Sequence, residues 1–167
     1  STLVDTASLR VGIVGVMTYD GLTKTLAANV QGLGTAPLAP TVEAEARQLR
    51  QRGADVVVVL AHAGGWCARF DDPADLSSCD DDAEIFRLAR QLPLGLVDAI
   101  VAGHSHAAVA HEVAARHDTC PAEPGHAVYV YSLVALYSAV DVVQNLGHRL
   151  RRRRTPVPNR PSQILGR

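Results

Sequence analysis

The 167-residue chain is 47% hydrophobic and 20% charged, with a formal net charge of −1; this is a globular balance, with material for one sizeable core and no signature of disorder. Near-neutrality and an aromatic content of 4% argue against a nucleic-acid partner, which would need a basic footprint and stacking surfaces. The longest uninterrupted apolar run, Val56 to Ala61, is strand-sized, so no membrane span is expected.

The first residues, Ser1-Thr2-Leu3-Val4-Asp5, carry no charged-then-apolar secretory pattern and read as the middle of a longer protein. Leu9 to Val16 is rich in β-branched residues and predicts a buried strand, with Leu3-Val4-Asp5 as a hairpin partner. Met17 to Pro40 is punctuated by Gly, Thr and Pro and predicts an irregular connection with one short helical turn. Thr41 is placed to cap a helix that runs to Arg52, with Glu43 and Glu45 early, Arg47 and Arg50 late, and Gly53 as terminator.

Ala54 to Ala61 (ADVVVVLA) is apolar on both faces, as suits a central parallel strand covered by helices on each side. It ends at His62-Ala63-Gly64-Gly65. After a long loop, Asp80 to Leu92 predicts a second helix with Ile85, Leu88, Ala89 and Leu92 on one face and the Asp80-Asp81-Asp82 run as its acidic cap. Val97 to Ala102 predicts another short buried strand, ending at Gly103-His104-Ser105-His106. Val109–Val113, Ala127–Tyr131 and Tyr137–Val143 predict further strands, 149–154 an edge strand, and 156–167 a Pro-rich tail beyond a domain of residues 1–155. The helix and strand order is that of a βαβ-type α/β fold.

Three cysteines, Cys67, Cys79 and Cys120, cannot all pair internally. The spacing of Cys67 and Cys79 permits a loop-closing disulfide in an oxidising compartment, and free loop thiols fit equally. Trp66 and Cys67 are placed either to line a site mouth or to pack the loop. His111, His117, His126 and His148 read as surface residues, and Arg151 to Arg154 as a solvated edge or tail.

Two neighbouring buried strands each end in histidine, at the sheet edge where ligands of open α/β folds bind. Gly64, Gly65 and Gly103 let the backbone turn sharply there, so His62, His104 and His106 converge. In GHSH, residues two apart point to one side and the small Ser105 keeps the approach open. Neutral imidazole is a common nitrogen donor for first-row metals, so the three histidines form a candidate metal site.

The segments LRVGIVGVMT, GADVVVVLAHAGG and LVDAIVAGHSHA together resemble the latter part of the calcineurin-like metallophosphoesterase superfamily, nearest its 5'-nucleotidase-type bacterial members. The resemblance runs from about Leu9 to Val143, and GHSH is its most diagnostic element. It implies a four-layer αββα sandwich, seen here in part, with mixed sheets and buried parallel strands. It also implies two divalent cations (Mn, Zn, Fe or Ca) that clamp a phosphoryl group and activate water. His62 and His104 would serve one metal and His106 the other. The resemblance implies a small phosphate ester as substrate, a nucleotide foremost, and a periplasmic or secreted compartment.

The upstream motifs D-x-H, G-D-x-x-[DN] and G-N-H-[DE], which supply the remaining ligands and the catalytic histidine, do not occur in the sequence. The chain therefore reads as a fragment holding half a metal site, with no catalytic residue assignable. Two other outcomes stay open: a phosphodiesterase or sulfur-ester relative, and a non-catalytic remnant that binds at most one metal.

Overall fold

The computed structural model describes residues 1–116 and 127–132. The expectations for 137–143, 149–154, the tail 156–167 and the boundary at 155 lie outside these residues, as do those for His117, Cys120, His126, His148 and Arg151 to Arg154.

The β-branched runs form strands where their composition places them. β1 (Thr2–Asp5) and β2 (Arg10–Met17) pair antiparallel, with Thr2 opposite Ile13 and Asp5 opposite Arg10. The hairpin turn is closed by the Thr6 amide and hydroxyl, which both donate to the Leu9 carbonyl at 2.8 Å. β3 (Val56–His62), β4 (Ala99–Ala102), β5 (Ala110–Ala114) and β6 (Ala127–Ser132) complete a mixed six-stranded sheet in the order β1-β2-β3-β4-β6-β5. The four central strands run parallel, and β1 and β5 are the antiparallel edges. The fold is α/β, as expected.

Between β2 and β3 the chain makes a short α1 (Tyr19–Thr23), a 3-10 turn at Ala27–Asn29, and the long α2 (Leu38–Gln51). α2 starts earlier than the Thr41 cap predicted. Pro40 falls in its first turn, where an amide N–H has no intrahelical partner to lose, and Thr41 is helical, its hydroxyl donating back to Pro37 O at 2.8 Å. Gly53 closes the helix at φ 89°, a left-handed position that suits glycine. α3 (Glu84–Gln91) is shorter than predicted. The Asp80-Asp81-Asp82 run is a turn ahead of the helix rather than its cap: Ala83 N–H donates to Asp80 O, and Asp81 pairs with Arg90.

α2 buries Ala39, Val42, Ala46 and Leu49, and α3 buries Ile85, Phe86, Leu88 and Ala89. Both join one core with Val14, Val57, Val59, Ile100, Val128 and Val130, alternate residues of one sheet face. Helices were expected on each side of β3; among the described residues both long helices lie on the same side. The opposite face presents Ile13, Val58, Leu60 and Val101, with Leu60 47% and Met17 45% exposed. The same face carries Val56, Ala99 and Tyr129, all buried, so its apolar exposure is concentrated at the carboxyl end, whereas parallel strands are normally covered along both faces.

One buried ion pair locks the strand starts. Asp98, 7% exposed at its side chain, accepts from Arg50 at 2.6 Å and from the Val57 amide at 2.8 Å. Arg50 also donates to the carbonyls of Ala54, Asp55 and Leu96. The end of α2 and the starts of β3 and β4 thus meet on one guanidinium, which uses its fork of donors fully.

Candidate metal centre

His62 is the last residue of β3, opposite Met17 of β2, and its carbonyl accepts from the Thr18 amide at 3.0 Å. The Gly103 amide, just past β4, donates to Ala61 O at 2.9 Å. The two strands therefore release His62 and His104 side by side at the carboxyl edge of the sheet. His62 Nε2 and His104 Nδ1 lie 3.0 Å apart, with ring centroids 4.8 Å apart and an edge-on interplanar angle of 68°.

That separation suits two chemical states. One ring can donate an N–H to the other, or both lone pairs can face one cation. Two imidazole nitrogens about 2.0–2.1 Å from a common ion subtend about 90° when they lie 3.0 Å apart, an ordinary angle between adjacent ligands. The donor pair therefore fits a divalent metal. His106 is exposed and makes no hydrogen bond to either histidine among the described residues.

The backbone of the GHSH turn is unusual. His104 has φ 82° and His106 φ 54°, the only non-glycine residues with positive φ among those described. Each position costs about 1–3 kcal/mol and persists only where the surroundings over-determine it. This corrects one expectation: the extended alternation that would aim His104 and His106 alike is broken. The left-handed conformations fall on these histidines, and none falls on Gly64, Gly65 or Gly103. The glycines of the other loop serve close approach instead. A Cβ on Gly64 would lie 2.9 Å from Ser105 Cβ, and one on Gly65 would lie 2.7 Å from Ile85 Cγ2.

After Gly65 the chain enters a loop closed by a Cys67–Cys79 disulfide, which decides the pairing the spacing left open. Trp66 is exposed and Cys67 buried. The Cys67 amide donates to Ala108 O at 3.2 Å, which links this loop to the segment after GHSH. Within it the Ser77 hydroxyl, then the Ser77 amide, hold the Asp75 carboxyl below its ordinary range, with Arg69 adding to the effect. The stabilisation this gives is present above the ordinary carboxylate range and is lost as pH falls through the lowered value.

His111 is not on the surface. It is 1% exposed, with Nδ1 3.2 Å from Pro73 O and Nε2 3.0 Å from Arg69 O. β5 turns it under the disulfide loop, where a ring N–H has a carbonyl to donate to, as burial demands. The donors of Cys67, Cys79 and His111 lie within 4.8 Å of one another. The sulfurs are bonded to each other, so the trio offers no thiolate to a metal.

A groove of about 580 Å³ opens at the exposed carboxyl end of the sheet face opposite α2 and α3, beside the histidines, lined by Gly15, Met17, Leu60, His62, Val101 and Gly103 among others. No helix among the described residues is long and apolar enough to cross a membrane. Neither a protein-family model nor a curated protein matches the chain.

Proposed function

We propose that the chain is the C-terminal part of a metallophosphoesterase domain whose complete form hydrolyses small phosphate esters, nucleotide phosphomonoesters foremost. The observation that carries this reading is the His62–His104 nitrogen pair, 3.0 Å apart at the carboxyl edge of two parallel strands. His62 and His104 would hold one divalent cation, and His106 would serve a second. When bound, the cations supply the Lewis acidity that polarises a phosphoryl group and acidifies water. The chain's own contribution is to fix two imidazoles at coordination distance on a rigid sheet edge.

The apolar residues exposed at the carboxyl end of the sheet face opposite α2 and α3, Leu60 and Met17, support the half-domain reading. In a four-layer sandwich that face would be covered by a second sheet, and the upstream motifs would supply the missing ligands. The disulfide fits an oxidising compartment, so a periplasmic or secreted setting is proposed.

A second reading is supported by the His62–His104 contact, which an N–H···N hydrogen bond alone accounts for: a non-catalytic remnant that binds at most one metal. Activity separates the two. The purified chain alone is expected to turn over no p-nitrophenyl phosphate. Expressed with its upstream coding sequence it should hydrolyse AMP faster than bis-p-nitrophenyl phosphate, and lose that activity with chelator. The reverse substrate order would favour a phosphodiesterase. No hydrolysis by the longer protein, with metal supplied, would leave the remnant reading standing.

A further inference from the structure

We infer that Ser105 is a positioning residue that sets the spacing of the His62–His104 pair by tying the two histidine loops together. The purpose of this tie rests on the metal-centre reading; its geometry does not.

Ser105 Oγ donates to the Gly65 carbonyl at 2.7 Å and lies 3.3 Å from the Gly65 amide, which donates to it. One hydroxyl thus engages both polar groups of a single residue on the opposite loop, a two-point contact like a rung of sheet ladder. The strands stop their own pairing at Ala61–Ala102 and the Gly103 amide, so beyond them, apart from the His62–His104 contact itself, this hydroxyl is the first tie between the loops among the described residues. Cys67 to Ala108 is the next, farther out.

The position of the tie decides what it controls. Ser105 is flanked by His104 and His106, both held at positive φ, and Gly65 lies three residues after His62. A strained turn needs an external anchor to stay in register. The lack of a Cβ on Gly64, which would approach Ser105 Cβ to 2.9 Å, lets the loops close far enough for the bond to form. Removing the hydroxyl leaves the core beneath untouched and frees the turn to relax, carrying His104 Nδ1 away from His62 Nε2.

The test uses the full 167-residue chain as wild type, Ser105→Ala and Ser105→Thr. Each is followed by thermal melting, by the ring-to-ring proton contact of His62 and His104 in metal-free NMR spectra, and by the visible spectrum during Co²⁺ titration. Ser105→Ala should melt within about 5 °C of wild type, lose the ring contact and bind Co²⁺ at least about tenfold more weakly with an altered spectrum. Ser105→Thr, which keeps the hydroxyl, should restore both. An unchanged ring contact in Ser105→Ala would overturn the inference, and so would loss of cooperative melting, because the role would then be structural. A wild type that shows the ring contact but takes up no Co²⁺ would refute the metal reading while leaving the positioning role to be decided by the NMR contact.

Discussion

Two histidines in this chain occupy backbone conformations that L-residues rarely adopt, and they flank the one hydroxyl that joins their loop to its neighbour. Strain of this kind is informative because an exposed turn could shed it by one substitution. His106→Gly should therefore cost no stability in chemical denaturation: relief of about 1–2 kcal/mol of left-handed strain outweighs about 0.5–1 kcal/mol of added chain entropy. A clear loss of stability would mean that His106 makes a supporting interaction beyond those described. At this scale the sequence spoke unevenly. His62, His104 and His106 stood out because each follows a β-branched strand and a glycine borders the turn. The left-handed φ of His104 and His106 did not, since any residue type can be forced there by a neighbouring tie. His111 was misjudged although a signal existed: Val109, His111 and Val113 alternate, and all three are buried. The period of two marked His111 as inward-facing, and only its polarity argued otherwise.

Elements are joined here by a few polar contacts whose loss should be felt far beyond the residue. Asp98 serves Arg50 and the Val57 amide together. Asp98→Ala leaves a largely buried guanidinium and a buried N–H without that partner, which should cost about 3–5 kcal/mol and lower the melting temperature steeply; a loss below about 1 kcal/mol in denaturant would show that water replaces the carboxylate. The Cys67–Cys79 link closes a 12-residue separation. Replacing both cysteines by serine should remove about 3 kcal/mol and raise amide exchange in residues 67–79 first. Uniform exchange across the sheet would mean that the loop is part of the global folding unit. The strands were legible because β-branched runs, bounded by glycine and proline, leave little choice. The helix starts were not. Pro40 and the triple aspartate are strong local signals, but a first-turn proline is compatible with helix, and three adjacent carboxylates repel one another enough to favour an open turn.

At the largest scale, the described residues form a parallel-centred sheet with one face packed under α2 and α3 and the other presenting Ile13, Leu60 and Val101. The apolar run Val56 to Ala61 in β3 announced burial on both faces without saying what does the burying, so which side the helices take was beyond the sequence pattern. If a second sheet covers the exposed end of this face in the longer protein, Leu60→Lys should change the stability of the 167-residue chain by no more than about 0.5 kcal/mol. In the longer protein the same change should cost roughly 3 kcal/mol or more, the penalty of an unpaired buried charge. Equal effects in both would argue that the face stays open. The claim on which the functional reading turns is that His104 ligates metal. It is tested most directly by the metal content and AMP hydrolysis of the protein expressed with its upstream coding sequence, as wild type and as His104→Ala. The account predicts two divalent ions per chain in the wild type, loss of at least one in the variant, and a fall in rate of about 100-fold or more; unchanged metal content and rate in His104→Ala would contradict it.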